Sequence, residues 1–136
     1  MSTIQGQMIF SKKPVLILIH LGGNDIENQH IGQFITQIYK DIAYLRSVFV
    51  ATHIVWSNIL PRMCWQDQST LIRKYRRINR AGRVALRQHT PGGIIVHDLN
   101  CDSPNLFRPD GIHLSDAGND KFLDEFAEEL QKMLCP

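Results

Sequence analysis

The 136-residue sequence predicts one α/β domain whose parallel sheet lies between layers of helix. Three observations carry that prediction. Short runs such as Val15-Leu16-Ile17-Leu18-Ile19 are apolar throughout, as strands buried on both faces must be. Longer stretches between them repeat their apolar residues every three to four positions, the period of a helix. Strand and helix alternate along the chain, and such alternation demands right-handed crossovers that put helices on both faces of a sheet.

The elements follow in order. Residues 1–13 read as a loose N-terminal segment, and the domain is expected over 14–136. A first strand is expected from Val15 to Leu21, stopping at the glycine pair Gly22-Gly23. Ile31, Phe34, Ile35, Ile38, Ile42 and Leu45 form the apolar stripe of a helix; Gln33, Gln37, Lys40, Asp41 and Arg46 take its other face. Val48 to Trp56 reads as a second buried strand, followed by a loop to Ser69 that carries Pro61. A second helix over Thr70 to Gln88 has Leu71, Tyr75, Ile78 and Leu86 on or near one face. Pro91-Gly92-Gly93 makes a turn before a short strand, Ile94 to Val96. A polar loop then runs to Ile112, with Pro104 and Pro109. Ser115 suits the N-cap of a last helix. Phe122, Phe126, Leu130 and Met133 line its buried face, and it stops at Cys135-Pro136.

Composition narrows the class of protein. A chain that is 43% hydrophobic and 21% charged has the balance of a soluble globular domain. The net charge of +2 calls for no polyanion partner by itself. No apolar run approaches the roughly 20 residues of a membrane helix, so no membrane association is expected. The first residues lack the charged and then apolar pattern of a secretion signal. Three cysteines, Cys64, Cys101 and Cys135, are odd in number and far apart, which favours a reducing, intracellular and cytoplasmic setting over a disulfide framework.

Two motifs carry chemistry. Gly22-Gly23-Asn24-Asp25 ends the first strand, and Asp110-Gly111-Ile112-His113 precedes the last helix. In parallel sheets, ligands bind beyond the carboxyl ends of the strands, and both motifs fall at that edge. A histidine acting as general base needs its second ring nitrogen held by an acceptor. Asp110, three residues before His113, can be that acceptor. The plainer reading is that Asp110 caps the turn while His113 packs. Asn24 can offer its side-chain NH2 to a developing oxyanion, a donor worth about 3–4 kcal/mol in acyl transfer. Its plainer reading is a helix cap on a glycine turn.

These residues resemble the SGNH (GDSL-type) hydrolases, a flavodoxin-like, three-layer α/β/α superfamily of esterases, lipases and acetylhydrolases. Gly22 to Asp25 is similar to the family's G-x-N-D block, and Asp110 to His113 to its D-x-x-H block. A looser resemblance is to SGNH-like domains in transposon-derived reading frames of vertebrates. The resemblance implies an ester or acyl hydrolase that uses neither metal nor organic cofactor. His113 would be its base, Asp110 the orienter, and Asn24 with Gly22 the oxyanion and substrate-binding residues. It also implies a Gly-Asp-Ser block bearing the nucleophile on an earlier strand. No Gly-Asp-Ser occurs here, so the nucleophile is unknown. Ser2 and Ser11 lie in the loose N-terminal segment, Ser57 follows a strand and could face the site edge without the marks of a nucleophile elbow, and Ser103 lies in the loop near Asp110 and His113; each reads first as an ordinary surface serine. The expectation is an N-terminally shortened SGNH-like fold, catalytically incomplete; an active esterase with another nucleophile is the alternative.

Two partner expectations follow. Without an earlier strand, Val15 to Leu21 is an open sheet edge, which invites a homodimer or marginal stability. Arg73, Arg76, Arg77, Arg80, Arg83 and Arg87, with Lys74, form a basic stripe on the second helix. It reads first as a solvated face and second as a nucleic-acid contact. A metal held by His97, Asp98, Cys101 and Asp102 is not expected, because no second Cys/His pair has structural-zinc spacing.

Overall fold

The computed structural model describes residues 12–21, 23–87 and 92–135. Its elements are β1 (Leu16–Ile19), α1 (Ile31–Val48), β2 (His53–Ser57), a 3-10 turn (Met63–Trp65), α2 (Ser69–Arg87), β3 (Gly92–Ile95) and α3 (Asp116–Leu134). The strands form one parallel sheet in the order β1-β2-β3. Leu16 pairs with His53 and Ile19 with Trp56, while Ile54 pairs with Gly92 and Ser57 with Ile95. The three carboxyl ends therefore finish nearly level, and the residues that follow them share one edge.

Alternation along β2 divides the core in two. Ile54 and Trp56 face one side, where Ile19, Ile38, Ile42, Leu45, Leu71, Ile78 and Ala85 close the main cluster beneath α1 and α2. Val55 faces the other side and packs with Ile95 and Phe126 of α3 in a smaller cluster. Burying each large aliphatic or aromatic side chain of this kind contributes about 1.5–3 kcal/mol. Packing of α2 on the sheet is close: a Cβ on Gly82 would lie 2.2 Å from the Trp56 ring. The α3 face is less complete, for Leu18 on β1 remains 39% exposed.

Several expected boundaries shift, each for a local reason. The first strand is shorter than Val15 to Leu21, and Val15 is 70% exposed. The second strand begins at His53 rather than Val48, because α1 continues through Val48 and the Phe49 N–H donates to the Leu45 carbonyl. Arg46, expected on the polar face, is buried and donates to the carbonyls of Phe49, Val50 and Thr52. It thereby ties the end of α1 to the turn that leads into β2. Asp41, also expected outside, is buried with Gln37 donating to it. Gly92 and Gly93 belong to β3 rather than to the turn. A Cβ at Gly92 would sit 2.3 Å from the Ile54 carbonyl oxygen, so only glycine allows that strand approach. Val96 lies outside the strand and is 70% exposed. Ser115 caps α3 as expected, accepting from the Gly118 N–H at 3.1 Å.

Trp56 and Trp65 are both buried packing residues. The three cysteines are free. Among the described residues no helix is long and apolar enough to cross a membrane.

Candidate functional site

Past β1 the chain runs through His20 and Leu21 into a tight turn over residues 23–28. The Asp25 carbonyl accepts from the N–H groups of Asn28 and Gln29 and closes it. Asn24 stands exposed on this turn, and its Oδ1 accepts from the Arg62 guanidinium at 2.5 Å. That bond fixes which end of the amide is oxygen and leaves the NH2 end as the available donor. Arg62 is itself braced: its guanidinium lies 5.3 Å over the Trp65 ring, and the Trp65 Nε1–H donates to Glu27. The sequence reading missed Arg62 because its role appears only when the loop after β2 meets the turn after β1.

The Asp110–His113 turn is a compact unit. One carboxylate oxygen of Asp110 accepts from the backbone N–H groups of Ile112 and His113, each at 2.9 Å. The other oxygen accepts from His113 Nδ1 at 2.6 Å. The hydrogen bond from His113, then those from the backbone, hold the Asp110 carboxyl well below the usual carboxylate range. An ionised carboxylate only accepts, so Nδ1 carries the ring proton and Nε2 keeps the lone pair a general base needs. The capping role and the orienting role coexist in one side chain. Gly111 makes the turn possible with φ +67, a left-handed conformation that costs other residues energy. Its carbonyl accepts from the Met63 N–H at 3.0 Å, tying the turn to the loop after β2.

A cleft of about 430 Å³ opens at this edge of the sheet. Its wall includes His20, Asn24, Asp25, Ile59, Arg62 and Ile112. Asn79 of α2 holds the Ile59 side of the wall, accepting from the Ile59 N–H at 2.8 Å. Of the Asp110–His113 turn only Ile112 lines the cleft together with Asn24; Asp110 and His113 themselves are not among its lining residues and are 43% and 68% exposed in their side chains. Gly22 lies outside the described residues, as do Ser2 and Ser11. Ser103 is half-buried in the loop after β3 and is not part of the cleft wall.

Ser57, expected at the surface, is completely buried. Its Oγ lies 2.8 Å from His20 Nδ1 and 2.8 Å from His97 Nε2. Behind His97, whose side chain is 1% exposed, the Glu125 carboxylate stands 3.7 Å from Nδ1. The His97 ring stacks on Phe122 and meets Phe126 edge-on. Burial, reinforced by the like charge of His20, pushes the His97 imidazole down to about 4. Burial also lowers His20, opposed by its hydrogen bonding to Ser57. Both rings are therefore neutral near pH 7, and a neutral pair can share one hydroxyl without charge repulsion. One signal could have revealed this cluster: a polar residue stands at or just beyond the end of each apolar strand, at His20, Ser57 and His97. Among the described residues no group of three or more His, Cys, Asp or Glu is arranged to hold a metal ion.

No family model matches this chain, and no curated protein matches it. Among solved structures it is similar in fold to a protein from Streptococcus pneumonia described as a candidate platelet activating factor, with a TM-score of 0.66 and 20% identity. The likeness covers 85% of this chain and 59% of that one. At this identity it shows the fold alone, a small flavodoxin-like α/β/α arrangement.

Proposed function

We propose that this domain is SGNH-hydrolase-like and carries the acid–base and oxyanion part of an ester or acyl hydrolase site without a nucleophile of its own. One observation carries the reading: Asn24 and Ile112, the latter from the Asp110–His113 turn, line a single cleft at the carboxyl edge of the sheet, and among the described residues no serine, threonine or cysteine lines it. In this reading His113 Nε2 takes a proton, Asp110 stabilises the imidazolium, and the Asn24 NH2 faces a developing oxyanion. The fold of the Streptococcus pneumonia protein is compatible with a hydrolase-like domain. Removing a nucleophile costs orders of magnitude in rate even where oxyanion donors remain.

Two measurements test this. Hydrolysis of a short-chain aryl acetate should be no faster with the wild-type chain than with His113→Ala. His113-dependent turnover would instead support the alternative, an active esterase with a different nucleophile. Acetate, the product of such a reaction, should shift the Asn24 side-chain amide and the His113 ring signals with one common Kd. Independent responses, or none, would mean that the two do not face one site.

A further inference from the structure

We propose that the outer face of α2 is a binding surface for the phosphate backbone of duplex DNA, independent of the cleft and its chemistry. Helix α2 holds seven cations, Arg73, Lys74, Arg76, Arg77, Arg80, Arg83 and Arg87, and no acid. All six arginines are exposed. At 100° per residue they fall within an arc of about 120°, and from Arg73 to Arg87 they span about 21 Å of helix axis. None of the ion pairs among the described residues uses them. Arg73 donates only within its own helix, to the Ser69 carbonyl, and Lys74 reaches the Ile26 carbonyl. Asp102, which shares a groove with Arg76, makes no ion pair with it.

A merely solvated helix gains by interleaving acids with bases at i and i+4, and like charges at that spacing repel. Arg73 and Arg77, Arg76 and Arg80, and Arg83 and Arg87 are such like-charged pairs. An anionic partner relieves this repulsion. The tertiary structure also removes the objection raised by the near-zero net charge. Asp116, Asp120, Asp124, Glu125, Glu128 and Glu129 all lie on α3, which packs on the opposite face of the sheet from α2. The small net charge of +2 therefore conceals a strongly basic face and an acidic one. Such a distribution orients the molecule toward a polyanion. An α-helix with a line of exposed guanidinium groups fits the width of a DNA major groove and the phosphates that rim it. Among the described residues no exposed aromatic side chain lies on α2: Trp65 beside it is buried and Tyr75 is half-buried, stacked on Trp65, so contact with the duplex backbone is favoured over stacking of single-stranded bases.

Fluorescence anisotropy with a labelled 20-base-pair duplex tests the proposal. Five or six phosphate contacts predict a slope of log Kobs against log[salt] near −5, or about a thousandfold loss between 50 and 200 mM salt. The triple substitution Arg76→Gln, Arg80→Gln and Arg83→Gln should reduce that slope by about 3 and weaken binding at least roughly tenfold at 100 mM salt. Its circular dichroism and Tm should match the wild type, because the three side chains are exposed. Lys121→Gln with Lys132→Gln on α3 should leave binding unchanged. No binding at 50 mM salt, a salt-independent affinity, or equal loss from the α3 variant would overturn the proposal. So would binding to phosphatidylserine vesicles as tight as binding to duplex at the same salt.

Discussion

Replacing Gly111 by alanine tests how the Asp110–His113 turn is held. Two costs add at this position. The φ of +67 lies in the left-handed region, which costs an L residue about 1–2 kcal/mol. The new Cβ would also lie 2.4 Å from Met63 Cβ, an atom fixed to its own backbone, and 3.3 Å from Met63 Cγ and Sδ. Overpacking of this kind costs about 1–3 kcal/mol. Met63 is 45% exposed and its loop can yield, so the combined loss should settle near 2–3 kcal/mol rather than at the sum of the extremes. A domain of 136 residues loses about 3.5 °C of Tm per kcal/mol, which predicts a fall of roughly 7–10 °C by calorimetry. If the turn moves, the Asp110–His113 hydrogen bond goes with it, and the Nδ1 proton resonance of His113 should broaden or vanish. Gly32→Ala is the control of opposite sign. Its Cβ would meet the His30 ring at 3.4 Å, an ordinary contact, and alanine favours the helix by up to about 1 kcal/mol. A Gly111→Ala protein with unchanged Tm and an intact His113 resonance would refute the argument that this glycine positions the turn.

Other consequences concern the fold around the site. Arg46→Met should cost about 2–3 kcal/mol in a urea melt, because it removes the guanidinium that donates to the carbonyls of Phe49, Val50 and Thr52 just past α1; a loss under 0.5 kcal/mol would show that water replaces the guanidinium freely. Acid sensitivity should centre on His97. Its folded value of about 4 lies below the unfolded 6.5, so the unfolded chain takes the proton first as pH falls. The associated stability is complete above 6.5 and is lost between 6.5 and 4, by at most about 3 kcal/mol. His97→Phe should flatten the stability curve in that window, and an unaltered curve would mean that other groups govern it. Among the described residues β1 is an edge strand of the sheet, and it should pair with a second copy, giving a concentration-dependent dimer by sedimentation equilibrium. A concentration-independent monomer with a cooperative melt would remove that expectation.

Local chemistry was largely legible in the linear chain. The three strands follow from short continuous apolar runs and the three helices from a period of 3.6, and Ser115 could be read as a cap because its partner lies three residues on. Asp110 and His113 could be paired for the same reason: three residues with a glycine between them leave few geometries. Boundaries were harder to read. Val48-Phe49-Val50 is as apolar as a strand, yet Arg46 ties the helix end to the following turn there by reaching carbonyls up to six residues ahead. Which polar residues are buried was not legible either. Arg46, Asp41 and Ser57 all looked like surface groups, and each is inside with a hydrogen-bond partner, local for Arg46 and Asp41 and long-range for Ser57.

Sequence by itself thus determined the element types, the α/β class and the two short motifs at strand and helix ends, because each depends on residues within a few positions of one another. Tertiary structure alone decided the rest. It set Ser57 between His20 and His97, 37 and 40 residues away, and braced Asn24 with Arg62 across 38 residues. It also put the basic α2 and the acidic α3 on opposite faces of the sheet. Those relations depend on strand register and on which face each crossover takes, and neither is encoded in any local spacing of side chains.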